Sequence, residues 1–318
     1  MKKQPYGGTG HDITPVGLGM VPIGRSPRVT SDEQAVEVVR TTFEAGINFI
    51  DTAPYYGDAE RRLGIALKEI GDDAPDDLFI NTKAGYRPDP FDYSEEQTVA
   101  CVEKSLELLG LDLLHAVHIH DVERSDMDTV MNGSLKALQR LQDQRLVGHI
   151  GVSGGPVELL TSYIETGEFE SVITHNRFNL LDQQAGPLID RANELGVAVI
   201  NAAPFASGIL ARPANLDAPY VYHTAPPEVR ERIERISAVC REFGVEVPAA
   251  AVGFSVEKEK VAVTILGAAT PDEIRAAAAA AEAEFPPELW AAIEREAPPN
   301  MVDNVENWRK QGGQSVIL

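Results

Sequence analysis

Only two of the 318 residues are cysteine, Cys101 and Cys240, and neither sits in a CxxC or Cys/His spacing. That leaves no disulfide framework and no metal ligand set to expect, only two buried, reduced thiols. Bases are scarce too. Lys and Arg number 28 against 49 Asp and Glu, a formal net charge of −21 with no basic stripe, so a phosphate backbone would be repelled and nucleic acid is not an expected partner. The acidity reads as a solvated surface. No apolar window of about 18 residues exists, so no membrane span is expected. The opening MKKQPYGGTGHDITP has two lysines without an apolar stretch behind them, unlike a secretory signal. The expected setting is cytoplasmic.

What is present is alternation. Apolar runs at Val16–Met20, Asn48–Asp51, Leu78–Lys83, Leu113–His120, Val147–Ser153, Ser171–Arg177, Ala198–Ala203 and Val261–Gly267 are each followed by a longer amphipathic stretch. The helical patterns fall at about 32–46, 58–71, 95–110, 126–144, 156–167, 183–196, 227–244 and 272–284, and Ser31 to Gln34 has the S-x-x-Q spacing of a capping box. Continuous Val/Ile-rich strands alternating with helices imply a helix-covered parallel sheet, and eight such units close naturally into a (β/α)8 TIM barrel. A doubly wound sheet would want G-x-G-x-x-G after its first strand, whereas GLGMVPIG has another spacing. No linker-like composition interrupts the chain, which reads as one domain over 1–318. Residues 1–14 read as a β-hairpin closing the barrel floor. Two longer connections, Arg87–Tyr93 and Ser207–Pro226, follow strands three and seven and so lie on the face that carries function in this fold.

The stretch DTAPYYG, residues 51–57, ends a strand with an acid and two tyrosines. Polar residues end the neighbouring strands as well: Lys83 after the third, His120 after the fourth, Ser153 after the fifth, His175 and Asn176 after the sixth. Taken singly, such residues cap helices, reach to solvent or pack. Taken together, Asp51, Tyr56, Lys83 and His120 form a proton-transfer group. Free tyrosine, with a pKa of about 10, is a poor acid or base near neutrality. An ammonium beside it favours phenolate, and a carboxylate on that ammonium keeps it charged and aimed. A histidine nearby can orient the substrate oxygen, and the hydride must then come from or go to a cofactor. His118 points the same way as His120 on its strand, as a second polar wall residue or as packing.

INFIDTAPYYG with Glu60-x-x-Leu-Gly-x-Ala-Leu, NTKAG, HIHD, GVSG and ILGAATPDEI, in that order over nearly the whole chain, resemble the aldo-keto reductase superfamily. Within it DTAPYYGDAERRLG, HIHDVE, PFASGIL and APPEVRERI…VCREFGV are most similar to the aldose 1-dehydrogenase branch. The resemblance implies a catalytic set of Asp51, Tyr56, Lys83 and His120, and a nicotinamide cofactor held by Gly19, Met20, Asp51, Ser153, His175, Asn176, Pro204, Phe205, Ser207, Gly208, Leu210, Gly267, Thr270 and Glu273. It departs from the usual pattern at His175, where relatives often have Gln, at Gly154, where they have Asn, and at Ala202, where many stack a tyrosine on the nicotinamide. Substrate contacts are expected from Tyr55, Tyr56, Tyr86, His120, Tyr220 and Tyr222, with Met20, Pro22, Ile23 and Phe205 as further wall residues. NADP-using relatives carry a lysine and an arginine after strand eight. This chain has Gly267 and Glu273 there, which implies NAD, although Arg275 could reach back toward a 2′-phosphate. The implied activity is oxidation of an aldose to a lactone. Reduction of small, pyridoxal-like aldehydes and a non-enzymatic, cofactor-binding regulatory role are the alternatives. No metal is implied, and oligomeric state is open.

Overall fold

The computed structural model describes residues 1–29, 31–85, 91–215, 218–221, 223–257 and 260–300. A short hairpin, β1 (Gln4–Pro5) and β2 (Asp12–Ile13), precedes the barrel strands β3 (Val16–Gly19), β4 (Phe49–Asp51), β5 (Phe79–Ala84), β6 (Leu114–Ile119), β7 (Val147–Gly154), β8 (Ser171–His175) and β9 (Ala198–Ala202). A second hairpin, β10 (Pro219–Tyr220) and β11 (His223–Thr224), follows, and β12 (Val263–Gly267) closes the barrel by parallel pairing with both β9 and β3. All eight barrel strands are parallel, each beside its neighbour in sequence, and all eight coincide with the apolar runs.

Alternation along these strands sorts the side chains. One set packs outward against the helices. The other fills the barrel, and it is graded from floor to rim. At the floor Phe49 and Phe79 stack at 5.6 Å, and Tyr6 of the hairpin plugs in 4.7 Å from Phe79. Two residues further along those strands the inward positions are Asp51 and Asn81, which pair in the β4–β5 register. Apolar below and polar above, the interior is a packed core with a chemical end.

The capping box read at Ser31 is present, and two further helices open in the same way. Ser31 Oγ accepts from the Gln34 amide at 3.3 Å, opening Asp32–Glu44, and Ser94 and Thr270 do the same for Glu95–Leu109 and Pro271–Glu282. Over 126–144 the pattern predicts one helix, but the chain widens into a π turn at Met131–Leu135 between Met127–Val130 and Lys136–Asp143. The cause is packing. Gly133 lies so close to the Tyr93 carbonyl that any side chain would collide with it, and Ser134 Oγ donates to the same oxygen at 3.2 Å. Three further helices escaped the periodicity: Val21–Arg25, Val247–Val256 and Pro287–Glu296. Val247–Val256 is apolar nearly all round because it is buried nearly all round, so it has no stripe to read. No helix among the described residues is long and apolar enough to cross a membrane. Cys101 and Cys240 are buried and form no disulfide.

Candidate active site

Four sequence-predicted residues meet at the rim. Asp51 ends β4 with its carboxylate buried, accepting from Lys83 Nζ and Asn81 Nδ2, each at 2.6 Å. Lys83 also donates to the Thr52 carbonyl at 3.0 Å, which fixes its ammonium 4.7 Å from the centre of the Tyr56 ring. Tyr56 ends a tight turn, Pro54–Tyr56, whose proline presets the backbone. Gly24 passes directly over this turn, where a side chain would strike the Tyr56 carbonyl. His120, just past β6, stands edge-on to Tyr56 at 5.8 Å.

Burial sets the charges. It drives the His120 imidazole down to about 3, so the ring is neutral in any working range, and its Nδ1 is buried with no protein partner. A neutral ring with an unfilled nitrogen is suited to hold a substrate oxygen, not to carry a proton away. Burial also pushes the Asp51 carboxyl up, while the Lys83 ammonium and Asn81 amide pull it back. Two donors at 2.6 Å are the surroundings of a carboxylate.

Beneath this lies a relay that was not read from the sequence. Asn81 spends its amide on Asp51, so its oxygen faces His118 Nδ1 at 2.5 Å, and His118 Nε2 then accepts from Ser171 Oγ at 2.9 Å. His118 is therefore neutral with its proton on Nδ1, and burial holds it well below the ordinary histidine range. Of its two readings, the deep packed one holds: His118 is one layer under the rim and orients Asp51 through Asn81. The signal was available, since Asn81 is two residues before Lys83 and so shares its face. Phe91, Asp121 and Arg124 were also missed. They sit on irregular backbone, where no periodicity points a side chain. Tyr93, buried behind them, donates to the carbonyls of His120 and Asp121 at 2.8 and 2.7 Å.

The expected cofactor contacts ring the same mouth. Ser153 Oγ accepts from the Asp121 amide at 3.2 Å, and His175, driven down to about 4 by burial, stands 3.8 Å from the Asp121 carboxylate. Ala202 pairs with His175 across β8 and β9 and brings no ring to the site. The strand ends are strained. Asn176, Ala203, Ala206 and Ser207 all have positive φ, and Ser207 Oγ donates to Asn176 Oδ1 at 3.0 Å. Such strain, on the order of 1 kcal/mol or more per residue, gathers at ligand clamps, and here it flanks Pro204, Phe205 and Gly208, three of the expected cofactor contacts. Met20, Asn176 and Leu210 offer it no open surface as the chain stands, and Ile23 is core, not wall. At the end of β12, Gly267 lies exposed against Pro22, and Thr270 caps the next helix. Glu273 pairs with Arg28 at 2.6 Å and accepts from the Ala269 amide at 2.8 Å. Arg275 turns to Asp272 on its own helix instead. Of the expected substrate residues, Tyr55 lies against His120, Tyr86 and Tyr222 fall outside the described residues, and Tyr220 is half-buried beside Asp182 and Arg232, its phenol pushed up to about 12 chiefly by burial.

One carboxyl here is costly. Glu123 Oε2 is buried without a partner, and burial together with Asp121 pushes its pKa up to about 8. A carboxyl raised on folding destabilises the native state above its unfolded pKa, progressively, with the full cost reached above the folded one. Glu123→Gln is therefore expected to raise Tm by about 5 °C or more at pH 9, given about 1.4 kcal/mol per pK unit, and by much less at pH 6. Equal shifts at both pH values in thermal unfolding would contradict this charge state. Asp121, Glu123 and His175 bring their ligand atoms within 4.8 Å of one another, but Arg124 against Asp121 at 3.4 Å already supplies a cation.

A parallel eight-stranded barrel with a buried acid–lysine pair under a tyrosine, and a neutral histidine facing it, defines a barrel oxidoreductase that works with a nicotinamide cofactor. The chain belongs to the aldo/keto reductase family, whose model matches residues 15–297. It is 30% identical to D-threo-aldose 1-dehydrogenase from Pseudomonas sp, over 88% of this chain and 93% of that one. It is 29% identical to L-galactose dehydrogenase from Arabidopsis thaliana, over 84% of each. Its fold matches the holo form of aldo-keto reductase AKR11C1 from Bacillus halodurans with a TM-score of 0.78 at 21% identity, covering 96% of this chain and 98% of that one.

Proposed function

We propose that this oxidoreductase oxidises the anomeric carbon of an aldose to a lactone with NAD, Tyr56 serving as the general base. The observation that carries the reading is the buried Asp51–Lys83 pair held beneath the Tyr56 ring and beside a neutral His120. Tyr56 takes the anomeric hydroxyl proton as the C1–H bond breaks and the carbon–oxygen double bond forms. Lys83 stabilises the tyrosinate before that proton arrives, and Asp51 keeps Lys83 aimed. His120 holds the anomeric oxygen through a hydrogen bond. The bound nicotinamide supplies the hydride acceptor. An aldose is supported by the relatives named for sugar oxidation at 30% and 29% identity. The same group run backward would reduce small aldehydes, a reading that the three rings of Tyr55, Phe91 and His120 favour for apolar substrates.

NAD is supported by Glu273. Its carboxylate can accept from a ribose 2′-hydroxyl, whereas a 2′-phosphate would meet a like charge. Arg28 offsets part of that repulsion. A residual gap of about 2 kcal/mol corresponds to roughly 30-fold. The expected result is a kcat/KM at least about tenfold higher with NAD than with NADP, narrowed or reversed by Glu273→Arg with Gly267→Lys, provided Pro22 yields the few tenths of an ångström that a side chain at 267 needs. Steady-state rates with aldoses and aldehydes, in both directions and with both cofactors, test the whole reading. Equal use of NAD and NADP would remove the cofactor assignment. Activity confined to aldehyde reduction would remove the aldose.

A further inference from the structure

The rim carries a charge pattern that the proton-transfer group does not use. Arg25, last residue of the helical turn Val21–Arg25, lies 4.1 Å over the centre of the Tyr55 ring. Tyr55 packs on Phe91 at 5.6 Å, and both rings meet His120 edge-on, at 5.7 and 5.6 Å. On the other side Arg124 lies 4.6 Å over Phe91. Cation, ring, ring, cation thus run in a row around the imidazole that faces the reacting oxygen.

Arg25 stands on a ring and not on a carboxylate. In a chain with 49 acids and 28 bases, many arginines have found carboxylates, among them Arg28 with Glu273, Arg61 with Asp32, Arg140 with Glu95 and Arg191 with Glu165. Arg25 makes no ion pair among the described residues, although it is partly buried. A guanidinium held over an aromatic ring sheds part of its hydration and can still offer its N–H donors to a carboxylate. Arg124 is placed to add a second cation, shared with Asp121 at 3.4 Å.

We propose that the substrate is a carboxylate-bearing aldose, of the uronic acid class, whose carboxylate is received by Arg25 with Arg124 behind it while the anomeric carbon lies at Tyr56 and His120. This rests on the aldose reading above. The pyrophosphate of the cofactor is another source of the same negative charge, and the experiment separates the two. Initial rates are measured at saturating NAD for matched pairs, glucuronate with glucose and galacturonate with galactose. The uronates are expected to lead by at least about tenfold in kcat/KM, the size of one charge-assisted contact. Arg25→Gln should bring that ratio close to one by raising the uronate KM, with the NAD KM unchanged, and Arg25→Lys should restore part of it. Neutral sugars equal to or better than uronates would overturn the proposal. So would an Arg25→Gln variant that raises the NAD KM and leaves the ratio intact, since Arg25 would then serve the pyrophosphate. If no aldose or uronate is oxidised, succinic semialdehyde against butanal in the reductive direction puts the same question to the rim with the aldose reading gone. Preference for the charged aldehyde, lost in Arg25→Gln, keeps the anion site, and equal rates end it.

Discussion

Tyr56→Phe is expected to lower kcat by about 10²-fold or more while NAD binding, followed by fluorescence titration, stays within about twofold. The phenyl ring keeps the packing against His120 and the place over Lys83, so only the hydroxyl is lost. Three of its polar neighbours are poorly suited to replace it. His120 is driven down to about 3 and is neutral, His175 is driven down to about 4, and Asp51 is committed to Lys83 and Asn81. A variant that retained more than about a tenth of the wild-type kcat would show that the proton leaves by another route, and the reading of the site would fail with it.

Lys83→Met is expected to act differently, through the pH profile. In the oxidative direction the tyrosine must be deprotonated to accept the substrate proton, and the ammonium beside its ring favours that form. Without it the phenol reverts toward its ordinary pKa of about 10, so the rising limb of kcat moves to higher pH and kcat at neutral pH falls by about 10²-fold. The substitution also strands the buried Asp51 carboxyl, which then folds protonated or not at all. Lys83→Met with Asp51→Asn removes that second effect, because Asn81 can still donate to the new amide. If the double variant, measured where chemistry limits the rate, keeps the wild-type limb, then Lys83 does not tune Tyr56.

Much of this site was legible because strands carry their own geometry. A residue at the end of an inward-facing register must point into the barrel mouth, and Asp51, Lys83 and His120 lie at, or within one residue of, the ends of three consecutive strands. Tyr56 was legible through its turn, five residues past Asp51. His118 was visible but undecided between wall and core, because the period gives its face and not its depth. Depth comes from the register of β5 against β6, which puts His118 beside Lys83 and its ring on Asn81. The helix at Val247–Val256 was hidden for the opposite reason, since full burial erases the stripe by which a helix is read.

By itself the sequence determined the barrel, the hairpin at its floor and the four residues proposed for proton transfer. Each of these follows from a period, a cap or a strand end, and such signals are local. Only the tertiary structure decided that Glu273 is held by Arg28, that Asp51 rests on a relay reaching Ser171, and that Arg25 and Arg124 bracket two rings around His120. These contacts join residues far apart in the chain, several of them on irregular backbone. Their side-chain directions are set by what packs against them, not by any spacing that the sequence can show.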